Sequence, residues 1–244
     1  MELSVVIPVL NEAGNIEPLL AEVVAALQGK FDFEIVYVDD ASDDATPVEL
    51  ASARRRNPRL RVVTHRRTCG QSTALRSGVI AARGDWRATL DGDGQNDPAD
   101  IPKLLEVARQ AAATGQTVLV AGYRKRRQDS NVKRVSSRVA NAVRSRLLGD
   151  ATPDTGCGLK VFARADFLTL PYFDHMHRFL PALMQRAGGS VTSVEVNHRH
   201  RQRGASKYGT LDRLAVGVVD LLGVMWLQRR ARIPEANETR DALE

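Results

Sequence analysis

The segment Asp91-Gly-Asp93-Gly-Gln95 carries two carboxylates, two residues apart, among residues that readily form turns. Two carboxylates at this spacing can point at one ion when the chain bends, and oxygen ligands of this kind suit Mg²⁺ or Mn²⁺. Aspartate and glycine are equally common in plain solvent-exposed turns. The residue types therefore predict a divalent metal site with Asp91 and Asp93 as ligands, provided that the fold places the segment at the end of a strand. Gln95 would supply another oxygen ligand or hold a metal-bound water.

A second acidic pair, Asp39-Asp40, follows another apolar run. The next residues, Ser42 and Asp44, are types that cap a helix N-terminus, which explains them without any ligand. Capping does not explain two aspartates directly at the end of a buried strand. Because a carboxylate only accepts hydrogen bonds, it can pair with the ring N–H of uracil or guanine, so the pair predicts a pocket for a nucleotide base.

Short β-rich apolar runs alternate with helical periodicity through the first half of the chain. The predicted strands are Leu3–Val9, Phe33–Asp39, Leu60–His65, Arg87–Leu90 and Thr117–Ala121. The predicted helices are Asn15–Leu27, Ala45–Arg56, Gln71–Ala82 and Ile101–Ala113. Strands separated by helices predict an α/β fold with a Rossmann-like, mostly parallel sheet flanked by helices. In such sheets ligands gather at the carboxyl ends of the strands, where both acidic pairs lie.

The second half of the chain is more basic. We predict helices at Val132–Leu148 and Phe179–Arg186, strands at Leu159–Phe162 and Val191–Asn197, and a basic loop at His198–Lys207. The first half has no GxGxxG or GxxxxGK[ST] motif that could bind phosphates through backbone N–H groups. Any phosphates must therefore be neutralised by a metal and by basic side chains.

The net charge of the chain is +6, and its sequence pI is about 9.7. A basic excess predicts a polyanionic partner, either nucleic acid, an anionic lipid surface or a phosphate-bearing substrate. The stretch Arg124–Arg146 holds nine Lys or Arg and one acid, and few aromatic residues that could stack on bases. We therefore favour an anionic membrane surface and expect no nucleic acid.

An apolar helix is predicted at Leu211–Leu227, followed by Arg229-Arg230-Ala-Arg232. Asp220 interrupts it, and no apolar run reaches the roughly 18 residues that a transmembrane helix needs. A buried core helix or a dimer contact would explain it about as well as an interfacial helix whose arginines reach lipid headgroups. With no signal-peptide pattern and only two cysteines, the chain is expected to be cytoplasmic and peripheral on the inner face of the cytoplasmic membrane.

Taken together, the motifs resemble family 2 glycosyltransferases of the GT-A fold, and among them the polyprenyl-phosphate glycosyltransferases. The matching segments follow the family's order over nearly the whole chain. They are Ile7–Ile16, Val38–Asp44, Asp91–Pro98, Lys133–Asn141, Asp154–Leu159 and Arg201–Tyr208.

The resemblance implies a set of site residues. The nucleotide would be bound by Pro8, Glu12, Asp40 and Asp91, and Mg²⁺ or Mn²⁺ on the donor diphosphate by Asp91, Asp93 and Gln95. Phosphates of the donor or acceptor would be bound by Arg124, Lys133, Ser137, Arg201, Ser206 and Lys207. The catalytic residues would be Asp93, Arg124 and Asp154.

The resemblance further implies inverting, metal-dependent transfer of a sugar from a nucleotide diphosphate to a polyprenyl phosphate, with a UDP-sugar favoured and GDP-mannose as the other donor. The second pKa of such a phosphate is about 6, so it attacks as a dianion without a strong base. One alternative is a family 2 transferase that acts on a sugar hydroxyl, which needs a carboxylate base, with Asp154 as the candidate. Others are a non-catalytic nucleotide-sugar-binding protein and a nucleic-acid-binding module.

The expected organisation is one GT-A domain over residues 1–232. Residues 1–124 would form its nucleotide-sugar and metal half, and residues 125–232 its acceptor and membrane-facing half, with a disordered tail at 233–244. A homo-oligomer or a separate membrane partner is compatible with the sequence.

Overall fold

The computed structural model describes residues 1–124, 144–199 and 210–232. Of the predicted helix Val132–Leu148, only residues 144–148 are described, and they are helical. Most of the predicted basic loop and the tail after residue 232 lie outside the described residues.

The described residues contain a seven-stranded sheet with the spatial order β3-β2-β1-β4-β6-β5-β7. Its strands are β1 (Leu3–Val9), β2 (Phe33–Asp39), β3 (Leu60–Thr64), β4 (Trp86–Thr89), β5 (Val118–Tyr123), β6 (Lys160–Ala163) and β7 (Ser190–Glu195). Every neighbouring pair is parallel except the two that involve β6. The expected mostly parallel sheet is therefore confirmed. Of the two strands from the second half of the chain, β6 inserts between β4 and β5, and β7 adds to the free side of β5.

Helices cover both faces of the sheet. They are α1 (Ile16–Leu27), α2 (Thr46–Arg56), α3 (Gln71–Ala81), α4 (Ile101–Ala112), α5 (Arg164–Thr169), α6 (Leu180–Arg186) and α7 (Thr210–Arg229), with short 3₁₀ helices at Pro98–Asp100 and Met176–Arg178. None of the helices in these described stretches is long and apolar enough to cross a membrane.

Two apolar cores lie on opposite faces of the sheet because alternate strand residues point to opposite sides. Strand β1 shows this directly, since Val5 and Ile7 pack in the core with α1 and α4, while Val6 packs in the core with α3 and α6. Helix α7 joins the second core through the fully buried Val224. Both faces are thus covered, and the residues that follow the strands remain available at the sheet edge.

The strand and helix bounds agree closely with the sequence-based expectations in the first half. Strands β1 and β2 have the predicted bounds, and β4 begins and ends one residue earlier than predicted. Helix α5 was not predicted, because six residues carry too little periodicity to reveal a helix. Asn15 stands at the N-cap of α1, where its side chain makes no capping bond and its Nδ2 donates to Glu12 Oε2.

Candidate active site

The loop that follows β4 carries Asp91, Asp93 and Gln95 at the carboxyl edge of the sheet. The backbone N–H of Gln95 donates to Asp93 Oδ1 at 3.1 Å, and that of Asp91 donates to Asn96 Oδ1 at 3.2 Å. Gly94 has a φ of 71°, which favours glycine. These bonds fold the segment into a tight turn, as the sequence predicts.

The carboxylate of Asp91 is enclosed on two sides. Gln71 Nε2 donates to Asp91 Oδ1 at 2.9 Å, and a Cβ added at Gly158 would lie 2.3 Å from Asp91 Oδ2. Burial, together with the nearby negative charge of Asp93, raises the pKa of Asp91 to about 6. Lys160 and Arg124 act in the opposite direction without cancelling this rise. Because the charge of Asp93 opposes the ionisation of Asp91, a divalent cation between them would stabilise the ionised form of Asp91, so the residues fit Mg²⁺ or Mn²⁺.

The loop that carries Asp91, Asp93 and Gln95, called the metal loop below because these are the candidate metal ligands, packs directly on the end of β1. A Cβ at Gly92 would lie 2.5 Å from Val9 Cγ1, 3.2 Å from the carbonyl oxygen of Pro8 and 3.6 Å from Glu12 Cγ. The structure therefore brings Pro8 and Glu12 next to the metal loop. The backbone N–H of Glu12 also donates to Thr46 Oγ1 at 2.9 Å, which ties the β1 loop to the first residue of α2.

The acidic pair after β2 forms an internal hydrogen-bond network. Asp39 Oδ1 accepts from the backbone N–H of Ser42. Asp40 is 3% exposed, and its carboxylate accepts from the backbone N–H groups of Cys69 and Gly70 at 2.9 and 2.8 Å. Its Oδ1 also lies 2.6 Å from His65 Nδ1. Because a carboxylate has about four acceptor positions, Asp40 keeps limited capacity for a base, and its nucleotide-binding role stays a prediction.

Arg124 and Asp154 form a buried, bidentate ion pair. Arg124 Nε donates to Asp154 Oδ2 at 2.6 Å and Arg124 Nη2 donates to Asp154 Oδ1 at 2.9 Å. Burial acts to lower the pKa of Arg124, but the hydrogen bond and charge of Asp154 outweigh it and raise this pKa above its ordinary value. The sequence predicts Arg124 and Asp154 separately, and the structure brings them together 30 residues apart in the chain.

Lys160, at the start of β6, is a buried cation that the sequence analysis does not identify. Its Nζ donates to the carbonyl oxygens of Cys157 and Thr155, and these bonds stabilise the turn before β6. Burial lowers the pKa of Lys160, while the charges of Asp91 and Asp154 act to raise it. The sequence shows only that a lysine stands two residues after Gly158, and this does not reveal that its side chain is buried.

Arg199 joins three elements around the metal loop. Its guanidinium contacts Glu22 of α1 at 2.8 Å and Asp97 at 2.9 Å, and its backbone N–H donates to the carbonyl oxygen of Gln95 at 3.0 Å. The neighbouring residue, His198, forms an isolated bridge with Asn96. The chain after β7 is therefore hydrogen-bonded to the metal loop. The sequence predicts a basic loop here, but not this contact.

A second cluster with metal-ligand chemistry lies at the other acidic pair. Asp40, His65 and Cys69 offer ligand atoms within 4.8 Å of one another. The 2.6 Å separation of His65 Nδ1 and Asp40 Oδ1 is that of a direct hydrogen bond, and His65 Nε2 lies 2.9 Å from Ser77 Oγ. Since both ring nitrogens are engaged, we interpret the cluster as structural.

Several predicted phosphate-binding residues lie outside the residues that the structure describes. They are Lys133, Ser137, Arg201, Ser206 and Lys207. Their proposed roles therefore stay predictions. Among the described residues, the predicted set gathers at one edge of the sheet. It comprises the metal loop with the β1 end, Asp40 hydrogen-bonded to Val9 at that end, and the Arg124–Asp154 pair.

Comparison with known proteins gives the family. The sequence pattern of glycosyl transferase family 2 matches residues 4–170. The chain is 37% identical over 238 residues to dodecaprenyl-phosphate galacturonate synthase of Rhizobium johnstonii, which covers 94% of this chain and 68% of that protein. It is 35% identical over 211 residues to undecaprenyl-phosphate 4-deoxy-4-formamido-L-arabinose transferase of Edwardsiella ictaluri, covering 85% of this chain and 63% of that protein. The chain thus spans about two thirds of the length of these relatives.

Solved structures share the fold. Glucosyl-3-phosphoglycerate synthase of Mycobacterium tuberculosis in complex with UDP superposes with a TM-score of 0.69 at 21% identity, covering 99% of this chain and 84% of that one. The complex of the same enzyme with Mn²⁺, UDP and phosphoglyceric acid gives a TM-score of 0.67 at 24% identity, covering 96% and 80%. These likenesses confirm the GT-A-like architecture expected from the sequence. With the family pattern over most of its length and relatives of the polyprenyl-phosphate type, the chain belongs to glycosyl transferase family 2.

Proposed function

We propose that this glycosyltransferase moves a sugar from a nucleotide diphosphate sugar to a polyprenyl phosphate, with inversion and with Mg²⁺ or Mn²⁺. The observation that carries the proposal is the bidentate ion pair between Asp154 and Arg124. Its carboxylate is held by both the Nε and the Nη2 of Arg124. A carboxylate in such a pair is a poor base, so the site suits an acceptor that is already ionised, as a lipid phosphate is.

The donor would occupy the edge between the two acidic loops. Pro8, Glu12, Asp40 and Asp91 would surround the nucleotide. The cation would be held by Asp91, Asp93 and Gln95, and when bound it supplies charge neutralisation for the leaving nucleotide diphosphate. UDP is the favoured nucleotide, in line with the solved relatives that carry UDP with Mn²⁺ or Mg²⁺.

The acceptor phosphate would bind on the basic side of the site. Arg124 presents a guanidinium whose orientation is fixed by Asp154, and a fixed cation stabilises developing charge without reorganising. In this scheme Asp93 and Arg124 are catalytic and Asp154 positions Arg124. Phosphate contacts would also come from Lys133, Ser137, Arg201, Ser206 and Lys207. Residues 1–232 would then work as one domain that contains both half-sites.

The acceptor implies contact with an anionic membrane, and α7 has a surface that suits it. Val219, Leu222 and Trp226 are 69%, 60% and 60% exposed and follow helical spacing, and Arg229 and Arg230 come directly after them. A tryptophan and arginines beside an apolar stripe match the water–lipid boundary. We expect the chain to float with vesicles that contain anionic lipid, and Trp226→Ser to float several-fold less. Equal flotation of the two proteins would contradict this placement.

Transfer itself is tested with purified protein, Mg²⁺ or Mn²⁺, a panel of UDP- and GDP-sugars, and undecaprenyl phosphate, by following release of nucleoside diphosphate. Undecaprenol is the matched acceptor, since it differs only in the phosphate. We expect release only with the phosphate, and an Asp93→Asn rate at least a thousandfold lower, because the cation loses a carboxylate ligand.

Two outcomes oppose the proposal. Near-normal transfer in excess chelator would exclude the metal role. Transfer to undecaprenol or to free sugar hydroxyls, but not to the phosphate, would favour the alternative family 2 reaction with a hydroxyl acceptor and would return Asp154 to the role of base.

A further inference from the structure

The turn between β3 and α3 contacts both acidic loops. The backbone N–H of Gly70 donates to Asp40 Oδ2 at 2.8 Å, and the side chain of the next residue, Gln71, donates to Asp91 Oδ1 at 2.9 Å. Gly70 adopts a φ of 89°, and a Cβ there would lie 3.3 Å from Asp174 Oδ1. One short turn, held in a conformation that favours glycine, therefore spans the gap between the predicted base pocket and the metal loop.

The contact between Gln71 and Asp91 has a defined polarity. A carboxylate only accepts hydrogen bonds, so the nitrogen of the Gln71 amide must face Asp91. The other oxygen, Asp91 Oδ2, packs against Gly158, where only the absence of a Cβ leaves room for it. The Asp91 carboxylate is thus held in one orientation, by a hydrogen bond at Oδ1 and by close packing at Oδ2. Each carboxylate oxygen has two acceptor positions, so Asp91 Oδ1 keeps one for a cation while it accepts from Gln71.

We propose that Gln71 is a positioning residue of the metal site, which holds the Asp91 carboxylate in the orientation that binds the divalent cation on the donor diphosphate. The inference rests on the proposed function, because it assumes that Asp91 serves the cation. Gln71 does not itself touch the cation in this proposal. Its amide, 2.9 Å from Asp91 Oδ1, holds the carboxylate in one orientation.

The test compares Gln71→Met with the unchanged protein. Methionine has nearly the length of glutamine but no donor, and position 71 is exposed at the first turn of α3, so folding should be preserved. The matched control is Gln110→Met, since the Gln110 amide donates to Glu106 at 2.8 Å on the exposed face of α4, away from the site. Thermal unfolding in chelator should be the same for all three proteins.

Mn²⁺ affinity in the presence of saturating UDP is the main measurement, by electron paramagnetic resonance of the free ion. We expect Gln71→Met to bind Mn²⁺ roughly tenfold more weakly, since a hydrogen bond to a charged group is lost, and Gln110→Met to be unchanged. In the transfer assay the Mn²⁺ concentration for half-maximal rate should rise by the same factor, while the rate at saturating Mn²⁺ changes less than threefold.

The outcomes distinguish a failure of the proposed metal site from a failure of the proposed role of Gln71. If the unchanged protein fails to bind Mn²⁺ with UDP, the proposed function loses its metal site. If it binds Mn²⁺ and Gln71→Met binds equally well, the proposed function stands and the role of Gln71 is refuted. A fall in maximal rate without a change in Mn²⁺ affinity would also refute positioning of the cation ligand.

Discussion

The loops after β2 and β4 both begin with aspartates at the same edge of the sheet, yet the fold uses them differently. The carboxylate of Asp40 accepts two backbone N–H bonds and lies against His65. The carboxylate of Asp91 receives one side-chain donor and faces the charge of Asp93, which helps burial to raise its pKa to about 6. The hydrogen-bond partners of Asp40 come from the protein itself, whereas Asp91 is held in a place where its charge costs free energy, a cost that the proposed cation would offset.

Between these two aspartates, the larger effect on transfer is expected from disturbing Asp91. In Gly158→Ala the new Cβ would overlap the Asp91 carboxylate, which lies 2.3 Å from that position. Because Asp91 must then leave its orientation, we expect transfer to fall about a hundredfold, as misplacement by an ångström does in other sites. The nucleotide-release assay measures it.

Gly223→Ala is the control for Gly158→Ala, since a Cβ at Gly223 in α7 meets nothing within 4 Å. That variant should keep full activity and gain slightly in stability, because alanine favours a helix. Wild-type activity in Gly158→Ala would show that the orientation of Asp91 is unimportant.

A smaller effect separates the two aspartates by stability. Asp40→Asn turns an acceptor into a donor opposite backbone N–H groups, so we expect the free energy of unfolding to fall by about 2–3 kcal/mol. Asp91→Asn removes an unfavourable charge, so in chelator at pH 7 we expect a gain of about 1 kcal/mol, reduced from the full shift by solvent. Asp32→Asn, at an exposed aspartate, should change stability by less than about 0.5 kcal/mol.

The sign of the Asp91→Asn effect follows from its pKa. The folded protein holds a proton on Asp91 up to about pH 6, higher than the ordinary value of 3.8. Asp91 ionises near pH 3.8 in the unfolded chain and only near pH 6 in the folded protein, so the destabilisation by its charge grows between these values and is complete above about pH 6. Below about pH 3 the group is neutral in both states, so urea unfolding should show the gain of Asp91→Asn at pH 7 and its disappearance at about pH 3. A loss of stability at pH 7 would mean that the charge of Asp91 does not destabilise the fold.

The sequence predicts the parts of the molecule whose signal is local. The bounds of β1 and β2 follow from short apolar runs that end in turn residues, and Asp91, Asp93 and Gln95 are close in the chain, so one loop brings them together. The short helix α5 has no such pattern and was missed.

Contacts between distant segments are beyond a single sequence. The bonds from Gln71 to Asp91 and from Arg124 to Asp154 join residues 20 and 30 positions apart. Their formation depends on the register of neighbouring strands, which cannot be predicted from residue types alone. Lys160 shows the same limit, since burial of a lysine depends on what packs around it rather than on its neighbours in the chain.

Strand β6 has a consequence for how the two reactants would be kept apart. It runs antiparallel between β4 and β5, so the metal loop and Arg124 follow strands that are two interstrand spacings apart, roughly 10 Å. If the metal loop and Arg124 bind the leaving and the attacking phosphate as proposed, their side chains must bridge most of this spacing, because an attacking oxygen must come within about 3–3.5 Å of the carbon it attacks. The inserted strand would thus set the distance across which the two proposed half-sites face each other.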